Sequence, residues 1–407
     1  MLKIIKIANI FLKNIIYFIL FLLLIFSGLS FANEISDFNQ IKQGRNNYRI
    51  ELEDFRRTFG GSYPLPTVSF YLFGMGNRDK LIYKNGEILN AITGELLYKW
   101  SFKEEVISPQ NYSVALKTQD DKYVFIEESE IGIYVKEKNK LTYISKSPVN
   151  LPTFAGKKYQ SILRVLHQEL LINIVDGKPL PNYFVYKKPW YRDSAMMAMV
   201  LAKTNNLHLI KNWILDLRQP YDKNNGGYAE PDNLGQALYL ISLVSNQSHP
   251  LVPVIQKELA QIERKSWFQP TRWIEGYSDF DLHPVYQTKW AKFGLASLKL
   301  ADHYSIPQLK DSYATLFWWD YKNLDIKNQL ILRDDNYPYL QWAANHYINK
   351  NQGVIGNQDY PLTWEAQAGA ADYKGNKIIS PEYVKLNISA THSWHAAEAF
   401  LSLIEEN

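Results

Sequence analysis

The chain has 407 residues, 46% hydrophobic and 14% aromatic, with 45 Lys+Arg against 41 Asp+Glu. These are the proportions of a globular protein of one large or two ordinary domains, and they exclude a disordered or collagen-like chain. Cysteine is absent, which excludes disulfides, thiolate metal sites, iron–sulfur clusters and thiol nucleophiles.

Residues 1–32 carry Lys3, Lys6 and Lys13, then the unbroken apolar run 15–26, then Ser30-Phe31-Ala32. Basic head, apolar core and small residues at a cleavage point read as a secretory signal peptide, with the core short of the ~20 residues that span a bilayer. Cleavage leaves no stable membrane span, an uncleaved anchor being the alternative, and either reading places the mature chain in the periplasm or at the cell surface. Removing this stretch takes away three lysines and no acid, so the formal +4 becomes +1. A nearly neutral remainder offers no electrostatic case for nucleic acid.

Residues 33–65 read as an N-terminal extension. Over 66–150 the apolar pattern has period two and is punctuated by turn residues such as Asn85-Gly86 and Asp120-Asp121, which predicts about eight short antiparallel strands joined by hairpins. Ser147–Pro152 breaks the pattern and marks a domain boundary. From 155 to 407 the period is 3.6, with helical segments at 159–174, 194–203, 207–217, 234–245, 251–262, 285–304, 308–318, 339–348, 364–372 and 392–406, and no convincing strand. The predicted class is α+β: a small antiparallel β domain followed by an (α/α) toroid of five to six helical hairpins.

The toroid rests on an alternation. Mixed carboxylate, amide and aromatic clusters precede every second helix: Trp190-Tyr191-Arg192-Asp193, Glu230-Pro231-Asp232-Asn233, Asp279–His283, Asp334–Tyr337 and Thr391-His392-Ser393-Trp394. Each cluster alone is what a helix N-cap looks like. In an antiparallel array, however, the N-termini of alternate helices share one end, so the clusters would together line one rim rich in aromatic faces.

Pro189-Trp190-Tyr191-Arg192-Asp193-Ser194-Ala195 resembles the aromatic–Arg–Asp motif of the six-hairpin (α/α)-toroid glycosidases, the clan of glucoamylases, trehalases and glycogen-debranching glucosidases. Leu362-Thr363-Trp364-Glu365-Ala366 is similar to the Leu-Thr-Trp-Met-Asp-Ala stretch of the debranching glucosidases, with Glu365 at the Met position and Ala366 at the Asp position. The resemblance implies that Arg192 and Asp193 hold sugar hydroxyls. Its order, acid midway and base late, implies Glu275 and Glu365 as the catalytic carboxylates of a glycoside hydrolase. Trp273 and Tyr277 flank Glu275, an apolar setting that would raise its pKa.

Trp190, Asp232, Gln236, Trp273, Asp281, Trp364, His392, Trp394 and His395 complete the expected sugar-binding set. Gln236 lies four residues after Asp232, and His392 and His395 share a helix face. No cofactor or metal is expected, since no phosphate loop, dinucleotide fingerprint or zincin motif occurs. The expected partner is an oligo- or polysaccharide. A polysaccharide lyase or sugar epimerase using histidine and tyrosine, and a non-catalytic glycan-binding envelope protein, are the competing readings.

Overall fold

A computed structural model describes residues 33–58, 68–138, 140–267, 270–317, 359–363 and 391–404. Residues 33–58 form helix α1. Its buried positions include Phe38, Ile41, Arg45, Tyr48, Leu52 and Phe55, the three-and-four spacing of an amphipathic helix. The expected extension is therefore an integral element. Phe38 and Ile41 pack on Val106, Ala115, Tyr123 and Phe125, while the Phe55 ring meets Tyr159 edge-on at 5.1 Å.

Nine strands follow in two antiparallel sheets. The first sheet contains β1 (Phe70–Phe73), β2 (Leu81–Lys84), β3 (Glu87–Asn90) and β4 (Leu96–Lys99); the second is a meander of β5 (Phe102–Ser108), β6 (Ser113–Thr118), β7 (Tyr123–Glu128), β8 (Gly132–Glu137) and β9 (Lys140–Lys146). Asn85 (φ 51°) and Gly86 (φ 78°) make the tight turn between β2 and β3, the two left-handed residues that a type I′ hairpin requires.

Helices then dominate: α2 (Gln160–Leu171), α3 (Tyr191–Lys203), α4 (Lys211–Leu215), α5 (Asp232–Val244), α6 (Leu251–Gln261), α7 (Pro284–Ser297) and α8 (Ser393–Ile404). Three small hairpins sit among them: β10–β11 (Ile174–Val175, Lys178–Pro179), β12–β13 (Glu263–Lys265, Arg272–Ile274) and β14–β15 (Tyr277–Ser278, Asp281–Leu282). The expectation of no strand beyond residue 155 is thus corrected. Helix α7 stops before 304 because Lys299 turns left-handed (φ 54°) and the Leu300 and Lys299 N–H groups close on Leu295 and Ala296, a Schellman closure made without glycine. The segment expected as a helix at 308–318 is a short 3₁₀ turn, Ser312–Leu316, capped by Asp311. The segments at 339–348 and 364–372 lie outside the described residues.

The side-by-side order is α2, α8, α3, α5, α7. A Cβ on Gly235 would lie 2.2 Å from Trp290 backbone atoms, and one on Gly294 2.4 Å from the Gly235 carbonyl. These two glycines bring the α5 and α7 backbones into contact, with both helices running in the same sense. One continuous core runs from β1–β3 through α2 to α8. The mixed α+β order, an antiparallel β region followed by helices, is as expected; the eight α-helices among the described residues fall short of what six hairpins need.

Candidate functional site

The N-termini of α3, α5, α7 and α8 gather at one end, and the second residue of α3 is the hub. Arg192 is 5% exposed. Its Nε donates to Asp232 Oδ2 at 3.0 Å, Nη2 to Glu230 Oε2 at 3.3 Å and Nη1 to Asp279 Oδ2. Trp394 and Tyr313 flank it, each ring centre 5.8 Å from the guanidinium carbon. Asp232, fully buried at the first position of α5, also accepts from Ser278 Oγ at 2.6 Å and Gln236 Nε2 at 2.9 Å. One buried guanidinium is shared by three acids, so removing Arg192 would leave buried carboxylates without their cation.

The carboxylates differ. Burial pushes Glu230 up, to about 7, against the opposing pull of Arg192. Burial acts on Asp279 in the same direction, but the Arg192 guanidinium together with hydrogen bonds from Arg192 and Tyr313 outweighs it and holds Asp279 below its ordinary value. Glu230 Oε1 accepts from the Asp279 N–H at 2.7 Å and from Asn225 at 3.1 Å, and Asn225 also donates to Asp279 at 2.9 Å, so the two groups are laced together. Behind them the Tyr313 hydroxyl donates to Asp279 at 2.9 Å, and its ring stacks on His283 at 3.7 Å. His283 in turn pairs with Asp311 at 2.9 Å. His283, expected at the rim, is buried.

The β14–β15 turn positions Asp279. Asp279 (φ 47°) and Phe280 (φ 72°) are its two central residues, between the paired Ser278 and Asp281. A left-handed phenylalanine is strained, and its ring stays 68% exposed, meeting the 59% exposed Tyr228 edge-on at 5.8 Å. Tyr277 is also exposed. This exposed aromatic pair neighbours the carboxylates along the chain, Tyr228 two residues before Glu230 and Phe280 directly after Asp279.

Of the expected site residues, the structure unites Arg192, Asp232, Gln236 and Trp394. A second group forms around the next residue, Asp193: His392 Nε2 is 3.8 Å from Asp193 Oδ1, and its ring is 4.7 Å from that of His395 and 6.3 Å from Tyr186. Burial and the neighbouring His392 hold His395 well below the ordinary histidine value. Trp190 packs on Tyr186 at 5.6 Å.

Three expected residues stand elsewhere. Glu275 pairs with Arg264 at 3.3 Å and accepts from Trp273 at 3.2 Å, because the β12–β13 register sets Arg264 opposite Trp273. Asp281 is exposed and accepts from its neighbour Leu282. Trp364 and Glu365 lie outside the described residues. Each of the three Arg192 nitrogens donates to a protein carboxylate. Sequence reasoning did not single out Glu230, Tyr313, Asn225 or Tyr228; the only signal for Glu230 was its place in the cluster before α5. Among the described residues no group of three His, Asp or Glu side chains is arranged to hold a metal, and no described helix is long and apolar enough to cross a membrane.

No protein-family model, curated protein or solved structure matches the chain. The resemblance to the six-hairpin toroid glycosidases is therefore corrected. Its two motifs are short, the chain carries a β-rich N-terminal region with several small sheets and eight α-helices among the described residues, and Arg192 serves an internal ion cluster.

Proposed function

We propose that the chain is a carbohydrate-active hydrolase in which Glu230 is the proton donor and Asp279 its ionised partner. The observation that carries this reading is the opposite displacement of two carboxyls laced together on one buried arginine, Glu230 upward and Asp279 downward. Hydrolysis of a glycosidic bond needs one carboxyl protonated near neutrality and one ionised. Glu230 gives its proton to the leaving oxygen as the anomeric C–O bond breaks. Asp279 accepts a proton from the incoming water as the water oxygen forms the new bond to the anomeric carbon. The exposed rings of Tyr228, Phe280 and Tyr277 supply flat apolar faces for sugar rings.

The helices are read as part of an (α/α) ring. The order α8, α3, α5, α7 with clustered N-termini supports this. Residues 1–32, outside the described residues, are read as an export signal, which subcellular fractionation of the tagged chain tests.

The experiment is a panel of α- and β-linked glucosides, uronides and amino-sugar oligomers. Glu230→Gln should lower turnover by about 10²-fold or more with the fold intact, while Glu275→Gln stays within a few-fold of wild type. A second reading, lyase or epimerase, draws on the adjacent His392, His395, Asp193 and Tyr186. Activity that survives Glu230→Gln but is lost in His392→Ala would move the assignment there.

A further inference from the structure

We propose that the cleft between the two β sheets is a second saccharide site, taking an oligosaccharide that carries carboxylates. The cleft encloses about 520 Å³, within the range of small-ligand pockets. One wall is aromatic: Tyr98 and Trp100 stack 5.2 Å apart at 10°, both half-buried. The Trp100 indole N–H donates to Glu137 on the opposite sheet, which locks the ring across the cleft before any ligand arrives. A preorganised flat ring beside hydroxyl-bearing side chains, here Thr118 and Thr142, suits a sugar, whose apolar C–H face stacks while its hydroxyls hydrogen-bond.

The charge on the cleft selects the kind of sugar. Glu137 is engaged by Trp100, and Asp120 by Lys122 and Thr118. Lys138 and Lys140, where the chain turns from β8 into β9, also line the cleft, and among the described residues no ion pair or side-chain hydrogen bond holds either. Asp120 is paired with Lys122, whereas Glu137 keeps its charge because its partner is a neutral indole, so three lysines against two carboxylates leave the lining with a net +1, which favours a ligand bearing carboxylates over a neutral one. The site lies in the β region, away from the Arg192 cluster, and does not depend on the chemistry proposed there.

Calorimetric titration of the full chain with trigalacturonate, trimannuronate and maltotriose tests it. At least one uronate trimer should bind, maltotriose should bind at least about tenfold more weakly, and Lys138→Ala/Lys140→Ala should weaken uronate binding about tenfold at low salt, a difference that shrinks at high ionic strength. Turnover at the Glu230 site should be unchanged in that double variant, so failure of one proposal is separable from failure of the other. Trp100→Phe keeps a ring but loses the tether to Glu137, and should weaken binding of both sugar types. No binding of either uronate, equal binding of maltotriose, or undiminished uronate binding by the double-lysine variant would overturn the assignment.

Discussion

Gly235→Ala tests how the site is held. A Cβ there would stand 2.2 Å from the Trp290 carbonyl carbon and oxygen and 2.6 Å from the Ala291 nitrogen, where ordinary contact begins at 3.4 Å. All three atoms are backbone, so no rotamer change relieves the clash and α5 must move from α7 by about 1 Å. Overpacking costs ~1–3 kcal/mol, and a backbone clash belongs at the upper end. About 3 kcal/mol lowers the melting temperature of a chain of this size by roughly 4 °C. The functional effect follows from Asp232, one helical turn before Gly235 and bonded to Ser278 and Arg192; a displacement of ~1 Å in a catalytic constellation can lower turnover about 10²-fold. Thermal unfolding by circular dichroism and turnover on the best substrate of the panel measure both effects. A Gly235→Ala protein that melts within about 1 °C of wild type and keeps its turnover would refute the close-approach argument.

Three further outcomes are expected. Burial pushes the fully enclosed Glu169 carboxyl up, to about 8. An acid with a raised folded pKa loses folded-state stability as pH climbs from 4.5 to about 8, by ~3 kcal/mol at pH 7. Glu169→Gln keeps the acceptor for the Leu362 N–H at 2.5 Å and should flatten that slope in urea titrations at pH 5, 7 and 9; an unchanged slope would show that Glu169 ionises freely. Turnover should fall as pH rises through about 7, where Glu230 loses its proton, whereas a rate that climbs from pH 7 to 9 would remove Glu230 as the acid. Phe280→Gly relieves a left-handed phenylalanine and should stabilise the protein by about 1 kcal/mol, at the expense of saccharide affinity measured by calorimetry.

Local signals made the β region legible. Asn85-Gly86 dictates a tight hairpin, and period-two strands follow on either side. The polar clusters before α3, α5, α7 and α8 were equally legible, and their gathering at one end brings Arg192, Asp232, Asp193 and His392 near one another. Helix α1 was hidden because Arg45 interrupts its apolar stripe and is satisfied by a residue 314 positions away. Glu275 looked apolar from its neighbours, but hairpin register, a tertiary property, places Arg264 beside it. The role of Asp279 depends on a turn of two left-handed residues with neither Gly nor Asn, which no turn signature announces.

The embrace between α1 and residues 359–360 bears on the order of assembly. Arg45 binds Asp359 at 2.6 Å, the Tyr48 hydroxyl donates to the Asp359 carbonyl at 2.6 Å, and Tyr360 stacks on Tyr71 and donates toward Gln168. A helix made early on the ribosome thus waits for a segment made some 300 residues later before its buried cation is neutralised. Contacts this distant in sequence slow folding, because chain entropy is lost before they reward it. A nascent chain lacking residue 359 holds an unsatisfied arginine against its own core, so the native state becomes accessible only when most of the chain has been synthesised.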